Sequence, residues 1–367
     1  MRAVVLVIPV LCMGGAEKVL TQMANWWARQ GVTVYLITFN SKNDFFCLDR
    51  SIIKYNIDEF PISKEVSSVW TEEKNNIGRL RTVFQKILNE RPERPLPIIS
   101  FLSRMNLRTL LAAEGLPCNV VVSERIMPSR YPLSPKEEGL RKGIYHKAQK
   151  VVCVSELIHK FWANKLLSLS NSLFIHNFIL PQDKTEEQNF HFPDRFILFA
   201  GRLEPQKQVD KLITVFSMLK REERLKLVIA GDGSLRSKIE RQISDLKLEN
   251  EVQLLGKISN VQQVATKASC FVLTSKFEGF PNVLLEVMGV GCPVVAFDCE
   301  TGPSEIIRDG KDGFLVPVDN LTMLKEKIEK ILSSPRLHRG MSEATKEVYE
   351  RFSQEKIMCK WESLFRS

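Results

Sequence analysis

A loop near the middle of the chain combines a glycine with two cations. Gly201 and Arg202 follow the apolar run Phe196 to Ala200, and Lys207 lies five residues beyond Arg202. A guanidinium and an ammonium on one loop at the end of a strand can pair with the oxygens of a diphosphate. An ordinary exposed basic loop would have the same composition, so this motif alone leaves both interpretations open.

A second segment carries two carboxylates, Glu278 and Glu286, with seven residues between them. Pro281 suits the first position of a helix, which places the backbone N–H groups around residues 279–283 at a helix N-terminus. A carboxylate pair beside such a terminus can hold the hydroxyls of a sugar and a ribose while the amides face phosphate. Two glutamates at this spacing prove no function by themselves.

Two glycine-containing turns give weaker signals. Gly14 and Gly15 stand where backbone N–H groups at a helix start can approach an anion, although a plain turn explains them equally well. The segment from Gly231 opens a helix as a dinucleotide fingerprint does, but Arg236 replaces its third glycine.

Phosphate-loop, nucleophile-elbow and zinc-ligand spacings are absent from the sequence, so we expect no metal and no other cofactor.

Strand and helix patterns alternate along the whole chain. Apolar runs predict strands at residues 3–8, 32–39, 98–102, 120–123, 151–155, 196–201, 226–230, 252–255, 270–274, 293–297 and 313–316. A polar segment at 183–189 predicts a domain boundary. This pattern predicts two doubly wound α/β domains with parallel sheets, residues 1–185 and 190–350, that face each other across a cleft. Ligands of such sheets bind at the carboxyl ends of the strands.

The excess positive charge lies entirely in the first half. Residues 1–185 contain 25 Lys and Arg against 16 Asp and Glu, a net charge of +9, whereas the remainder has 27 of each sign. A one-sided basic field indicates nucleic acid, an anionic membrane or a phosphorylated substrate, or else a solvated face without a partner.

No uncharged run reaches eighteen residues, so no membrane-spanning helix is predicted. Eight scattered cysteines fit a reduced, cytosolic compartment.

Taken together, the motifs resemble the retaining, nucleotide-sugar-dependent glycosyltransferases of family 4, whose GT-B fold has two facing Rossmann-like domains. The resemblance covers nearly the whole chain. Its motifs, in order, are Gly14-Gly15-Ala16-Glu17, Gly201-Arg202 with Lys207, Ala230 to Gly233, Leu255-Gly256, Glu278 to Glu286, and Gly302 to Ile307 with Asp309-Gly310 and Gly313.

The resemblance implies that Arg202 and Lys207 hold the leaving diphosphate, as loop residues whose removal should leave folding nearly unaffected. It also implies that Glu278 holds the transferred sugar and Glu286 the ribose, and that the backbone after Gly256 lies near the base. The other donor-binding candidates are Gly14, Gly15, Gly201, Gly279, Phe280, Asn282 and Val283.

One motif departs from the family pattern. Many relatives have Ser-Glu-His where this chain has Ser123, Glu124 and Arg125. The role of that histidine near the sugar therefore cannot be transferred directly. We treat Glu124 and Arg125 as candidates for a donor-sugar or acceptor contact.

The resemblance implies metal-independent, retaining transfer of a hexose or N-acetylhexosamine from a nucleotide diphosphate sugar, with UDP as the first expectation. The acceptor is expected to be a saccharide in surface polysaccharide or glycan assembly. The basic domain, joined by a C-terminal helix at 352–367, would take this acceptor. Another GT-B enzyme such as a sugar-nucleotide epimerase is the alternative. A nucleic-acid-binding protein is disfavoured, since no known binding module is found.

Basic residues within this first domain concentrate at 79–108 and 125–165. The second stretch has nine Lys and Arg against three acidic residues, with Tyr131, Tyr145, Phe161 and Trp162 among them. Basic residues interleaved with aromatics predict peripheral contact with anionic lipid. We therefore expect a lipid-linked acceptor and a cytoplasmic protein that docks on the inner face of the cytoplasmic membrane.

Overall fold

The computed structural model describes residues 1–40, 44–63, 70–91, 94–165, 171–181, 192–219 and 225–366. The chain divides into two units. Unit 1 consists of Met1–Asn177 with Glu355–Ser367, and unit 2 consists of Phe178–Gln354. The polar segment 183–189, predicted as a domain boundary, lies outside the described residues.

Unit 1 contains a seven-stranded parallel sheet in the order β3-β2-β1-β4-β5-β6-β7. Its strands are β1 Ala3–Val7, β2 Thr33–Thr38, β3 Ile53–Asn56, β4 Leu96–Phe101, β5 Cys118–Glu124, β6 Lys150–Cys153 and β7 Ser172–Phe174. Its α-helices up to β7 are α1 Gly15–Arg29, α2 Lys74–Glu90, α3 Ser103–Ala113, α4 Pro135–Ile144 and α5 Glu156–Lys165.

The central strands of this sheet are buried on both faces. Every residue of β1 is buried, and Val5 pairs in parallel register with Ile98 on β4. Parallel sheets covered on both sides require such continuous apolar runs, which explains why the sequence predicts these strands well. The two edge strands, β3 and β7, carry no such run and were not predicted; Ile53 and Lys54 are exposed.

Unit 2 contains a six-stranded parallel sheet in the order β10-β9-β8-β11-β12-β13. Its strands are β8 Arg195–Ala200, β9 Leu225–Ala230, β10 Val252–Gly256, β11 Cys270–Leu273, β12 Val294–Asp298 and β13 Gly313–Pro317. Its helices are α6 Val209–Met218, α7 Arg236–Asp245, α8 Val261–Ala265, α9 Asn282–Gly289, α10 Pro303–Ile306, α11 Leu321–Ser333, α12 Pro335–Thr345 and α13 Val348–Arg351.

The last helix, α14 Gln354–Ser363, contributes to the core of unit 1, to which its residues from Glu355 onward belong. Trp361 is 1% exposed, and its ring centroid lies 6.1 Å from that of Phe101 at the end of β4. Helix α14 therefore packs on unit 1 beside the end of β4, although unit 2 separates them in the sequence.

Strands alternate with helices in both units, which confirms the prediction of two doubly wound α/β domains with parallel sheets. Among the described helices, none combines the length and the apolar character needed to cross a bilayer. The sheets therefore place two sets of loops, one per unit, at the carboxyl ends of their strands, where such folds bind ligands.

Candidate active site

Three turns in unit 2 are joined through their backbones at the carboxyl ends of β8, β9 and β10. The Gly201 N–H donates to Ala230 O at 2.9 Å, and the Gly231 N–H donates to Gly256 O at 2.7 Å. A Cβ atom on Gly231 would lie 1.8 Å from Gly201 O, and Gly231 has a φ of 149°. Only glycine fits this approach, because any side chain would push the two turns apart. The structure thus brings Gly201 and Gly256 together.

The loop after β8 and the segment after β11 meet in an ion pair. Lys207 Nζ lies 2.5 Å from Glu278 Oε1, and the side chains are only 13% and 9% exposed. Gln206 Nε2 donates to Phe277 O at 2.7 Å, and Thr274 Oγ1 donates to Lys207 O at 2.8 Å. Two segments 71 residues apart are therefore fixed against each other. Lys207 lies in a loop, as expected, but its side chain is largely buried, so its removal should affect folding.

Burial affects a thiol beside this ion pair. Cys299 is 2% exposed, and burial together with the nearby Glu278 carboxylate raises the pKa of its thiol to about 12. The thiol is therefore protonated at neutral pH and adds no charge. The charges that act on this thiol include those of Glu278, Lys207 and Asp298.

Arg202 differs from Lys207 in its surroundings. Its side chain is exposed, and its Nη2 lies 3.5 Å from Gln206 Oε1. The neighbouring Glu204 accepts from the Ser234 backbone N–H at 3.0 Å and from the Ser234 hydroxyl at 2.7 Å. These bonds, with a smaller contribution from Arg202, lower the pKa of Glu204. Arg202 forms no ion pair with any residue that the structure describes, so its guanidinium is available to an anionic ligand.

The segment from Glu278 to Glu286 leads into helix α9. Pro281 is the N-cap of this helix and Asn282 is its first residue, so the N-terminus begins one residue later than predicted. The Asn282 and Val283 N–H groups lie in the first turn, and the half-buried Glu286 follows in the second. The segment is anchored because the Thr301 hydroxyl donates to the Glu278 carbonyl oxygen.

Two predicted donor-binding residues in this segment play different structural parts. The Phe280 side chain is 6% exposed and packs edge-to-face on Phe352, with ring centroids 5.6 Å apart. Its ring belongs to the core of unit 2, so only its backbone is placed to face a ligand. Gly279 lies against Gly302, where a Cβ would come 3.3 Å from Gly279 O and 2.6 Å from Pro281 Cδ.

In unit 1, the predicted glycine turn forms the start of helix α1. Gly14 is its N-cap, with extended backbone, and Gly15 is its first residue. The Glu17 carboxylate folds back over this start, since a Cβ on Gly14 would lie 2.2 Å from Glu17 Oε2. A carboxylate at a helix N-terminus is favourable. In this structure Glu17 therefore stands where the sequence predicts the approach of an anion.

Arg125 follows directly after β5 and is 9% exposed. Its guanidinium lies 4.5 Å from the ring centroid of Phe101, and its Nη2 donates to Asn177 Oδ1. Burial lowers the pKa of Arg125 to about 9, although the Glu17 charge opposes this shift. The group is still protonated at neutral pH.

Glu124, by contrast, has no exposed surface. Its carboxylate accepts from the Ser103 hydroxyl at 2.7 Å, from Asn106 Nδ2 at 3.5 Å and from the Tyr145 hydroxyl. Burial and the Glu124 charge raise the pKa of Tyr145 well above its usual value. A sugar contact by Glu124 would require these hydrogen bonds to break. In this geometry Glu124 stabilises the fold of unit 1 by accepting them. Sequence reasoning missed Ser103 and Asn106 because no motif marks them, and it expected Tyr145 at a lipid surface and not beside Glu124.

The basic stretch after β5 is only partly exposed, which differs from its predicted contact with lipid. Tyr145 and Trp162 are each 1% exposed and therefore belong to the core. Arg141 is 3% exposed, is paired with Glu138, and lies 4.3 Å from the Trp162 ring centroid. These side chains cannot touch a lipid surface. The exposed members of the stretch include Arg130, Tyr131, Lys136, Lys142 and Lys147.

Within the described parts of the chain, no three His, Cys, Asp or Glu side chains come together in a way that could hold a metal ion. The loop that follows Gly201 instead carries the exposed Arg202 and the Lys207 that is paired with Glu278. This arrangement can bind an anionic group through side-chain charge and the first amides of α9.

Comparison with known proteins gives this site a family context. Residues 182–348 match the family model described as Glycosyl transferases group 1. The N-acetylgalactosamine-N,N'-diacetylbacillosaminyl-diphospho-undecaprenol 4-alpha-N-acetylgalactosaminyltransferase of Campylobacter jejuni is 31% identical over 270 residues, which cover 70% of this chain and 72% of that protein. An exopolysaccharide phosphotransferase of Streptomyces coelicolor is 39% identical over 171 residues, which cover 46% of this chain but 18% of that protein.

The fold has close counterparts among solved structures. A crystal structure of an S. aureus TarM mutant in complex with Fondaparinux, alpha-GlcNAc-glycerol and UDP covers 100% of both chains, with a TM-score of 0.82 at 18% sequence identity. This similarity confirms the predicted GT-B fold class.

The ion pair predicts a difference in stability between two neighbouring cations. Lys207→Ala leaves the buried Glu278 carboxylate without its counterion, so we expect the free energy of unfolding to fall by about 2 to 4 kcal/mol. Arg202→Ala removes an exposed side chain and should change it by less than about 0.5 kcal/mol. Urea denaturation measures both. The double variant Lys207→Ala with Glu278→Gln should recover part of the loss, and equal stability of the two single variants would contradict this account.

Proposed function

The chain belongs to the group 1 glycosyltransferases, and from this we propose that it is a retaining enzyme that transfers a hexose or N-acetylhexosamine from a nucleotide diphosphate sugar to a saccharide acceptor. The acceptor is carried on a lipid diphosphate and the product enters surface polysaccharide or glycan assembly. The observation that carries the donor assignment is the pairing of Lys207 with Glu278 beside the Gly201 turn.

The two cations of unit 2 suit the leaving group of such a reaction. Cleavage of a sugar–phosphate bond develops negative charge on the departing diphosphate, and fixed cations that face this charge lower the barrier. Lys207 already lies in a buried, hydrogen-bonded position, whereas Arg202 is exposed and can close onto the ligand. In this proposal the exposed Arg202 and the ion-paired Lys207 supply the positive charge at the leaving group, and no divalent metal takes part.

The carboxylates and amides of the same segment would orient the donor. Glu278 lies at the ion pair and would hold hydroxyls of the transferred sugar, while Glu286, two turns into the segment, would hold the ribose. The first amides of α9 would face phosphate oxygens, as helix N-termini favour anions. The backbone after Gly256 would lie near the base.

Retention of configuration follows in this proposal from attack on the same face as the leaving group. The departing phosphate oxygen takes the proton of the acceptor hydroxyl, so no side-chain nucleophile is assigned. The donor base is proposed as uracil, supported by the UDP named in the S. aureus structure. The lipid diphosphate acceptor is supported by the name of the Campylobacter jejuni relative.

A transfer assay tests the proposed reaction. We expect the purified protein to form product from a UDP-sugar and a diphosphate-linked saccharide, at a rate unchanged by EDTA. The anomeric configuration of the new linkage, measured by NMR, should match that of the donor. An epimerase would instead change the donor sugar without an acceptor. Inverted product, or activity abolished by EDTA and restored by a divalent ion, would contradict the mechanism.

Arg202 provides a test of the leaving-group assignment. Arg202→Ala should lower turnover at saturating donor by about 10²- to 10³-fold, the scale for removing one preorganised donor from developing negative charge. Because the Arg202 side chain is exposed, its removal should not impair folding, so the loss of turnover would not come from misfolding. Lys238→Ala, an exposed cation on α7, is the matched control and should keep normal turnover. Near-normal turnover of Arg202→Ala would remove Arg202 from the diphosphate site.

We also propose that the enzyme docks peripherally on the cytoplasmic face of a membrane. The support is the net charge of +9 on residues 1–185 together with the exposed side chains of Lys136, Lys142 and Lys147. Each cation near an anionic surface contributes on the order of 1 kcal/mol. The same charge would attract a diphosphate-linked acceptor.

Vesicle sedimentation measures this docking. We expect binding to vesicles that contain phosphatidylglycerol, loss of binding as salt rises toward about 0.5 M, and weaker binding by roughly 100-fold when Lys136, Lys142 and Lys147 are changed together to Gln. The control variant changes Lys238, Arg241 and Lys267, which are exposed on unit 2. Equal binding to neutral phosphatidylcholine vesicles, or an equal effect of the control variant, would contradict the proposal.

A further inference from the structure

Arg125 is a buried cation, and in the part of the chain that the structure describes its charge has no counterion in direct contact. Its side chain is 9% exposed, and its contacts are the Phe101 ring and the Asn177 side chain, both uncharged. Among the described residues, no carboxylate lies within ion-pair distance of its guanidinium. Arginine is rarely buried without a charged partner, because transfer of the guanidinium out of water is unfavourable.

The nearest carboxylate along the chain cannot serve as this counterion. Glu124 precedes Arg125, but its oxygens already accept from Ser103, Asn106 and Tyr145. Among the described residues, Glu17 is the acidic group whose charge acts on Arg125, and it forms no ion pair with the guanidinium; its carboxylate folds over the start of α1. The protein thus holds Arg125 in place and leaves its charge uncompensated.

Arg125 lies at an edge of the sheet that a ligand can reach. It follows the carboxyl end of β5, next to the end of β4, where Leu102 has a φ of 81°. A non-glycine residue in this conformation is strained, and such strain is found at functional sites. β1, which leads to the Gly14 turn, pairs with the other side of β4. Arg125 therefore lies at the ligand-binding edge of the sheet.

The hydrogen-bonding capacity of the guanidinium points to an oxyanion. Nη2 donates to Asn177, while Nε and Nη1 donate to no described residue. A planar fork with free donors matches two oxygens of a phosphate group, and a charge-assisted bond of this kind compensates the buried cation. A neutral sugar hydroxyl would satisfy a donor but leave the charge unbalanced.

We propose that Arg125, held by Asn177 and Phe101, binds a phosphate oxygen of a substrate diphosphate. The inference rests on the proposed function for the identity of the substrates, since both the nucleotide donor and a lipid-linked acceptor contain a diphosphate. Arg125 is in this account a binding residue for phosphate rather than a replacement for a sugar-contacting histidine.

The test compares ligand binding by Arg125→Met and wild-type protein. Methionine keeps an unbranched, polarizable side chain against Phe101 but removes the charge. We expect the affinity for the phosphate ligand to fall about 10- to 100-fold. Calorimetry with UDP against uridine reports on the donor, and geranyl diphosphate against geraniol reports on the acceptor. A loss confined to one diphosphate supports the proposal and identifies its source.

The melting temperature separates binding from a structural role. Because Arg125→Met removes an uncompensated buried charge, the ligand-free variant should melt at or above the wild-type temperature. Arg125→Lys keeps the charge without the fork and should bind with intermediate affinity. Arg130→Gln changes an exposed arginine on the same stretch and should bind both diphosphates like wild type.

Unchanged affinity of Arg125→Met for both diphosphates would overturn the proposal, as would a lowered melting temperature accompanied by unchanged binding in Arg125→Lys. Product formation by the wild-type protein is measured separately. A wild-type protein that transfers sugar while its Arg125 variants bind normally disproves the phosphate site alone. A protein that binds diphosphates through Arg125 but forms no product disproves the transfer reaction alone.

Discussion

The close backbone contact between Gly201 and Gly231 is the constraint on which the unit 2 site depends. The 1.8 Å separation that a Cβ would have from Gly201 O leaves no room for any side chain. With this contact in place, the loop that ends in Lys207 lies over the end of the sheet and meets Glu278. The backbone contact and the ion pair thus fix the same loop at its two ends, the first through uncharged glycines and the second through opposite charges.

Much of the fold could be predicted from the sequence, and the failures have a common physical cause. Central parallel strands are apolar throughout, so β1, β4 and β8 are visible as runs, whereas the edge strand β3 has exposed side chains and no run. The types of residue in a stretch also do not show which side chains face solvent and which face the core. Trp162 and Arg141 lie in a basic, aromatic-rich stretch that suits a membrane surface, yet they stack on each other in the core. The composition of a stretch does not show which of its side chains lie on the buried face.

The candidate site was predictable to the same extent. The rule that parallel strands place their loops at one edge predicts that the segments at 201 and 278 come close, but no spacing predicts that Lys207 and Glu278 pair directly. The family resemblance identifies Arg125 as a departure from the usual histidine. It does not predict which residues surround the guanidinium. The lack of a counterion is a property of three-dimensional neighbours, Phe101 and Asn177, which are 24 and 52 residues away in the chain.

The route of the chain through unit 1 affects the order in which the protein is built. Phe101 supports the Arg125 guanidinium on its ring and also packs against Trp361 of α14. A ribosome delivers Trp361 only after all of unit 2, whose residues 178–354 are contiguous and can fold as they emerge. The first unit to be synthesised is consequently the last whose core is filled. Until Trp361 has emerged from the ribosome, the Phe101 ring beneath Arg125 lacks one of its aromatic neighbours.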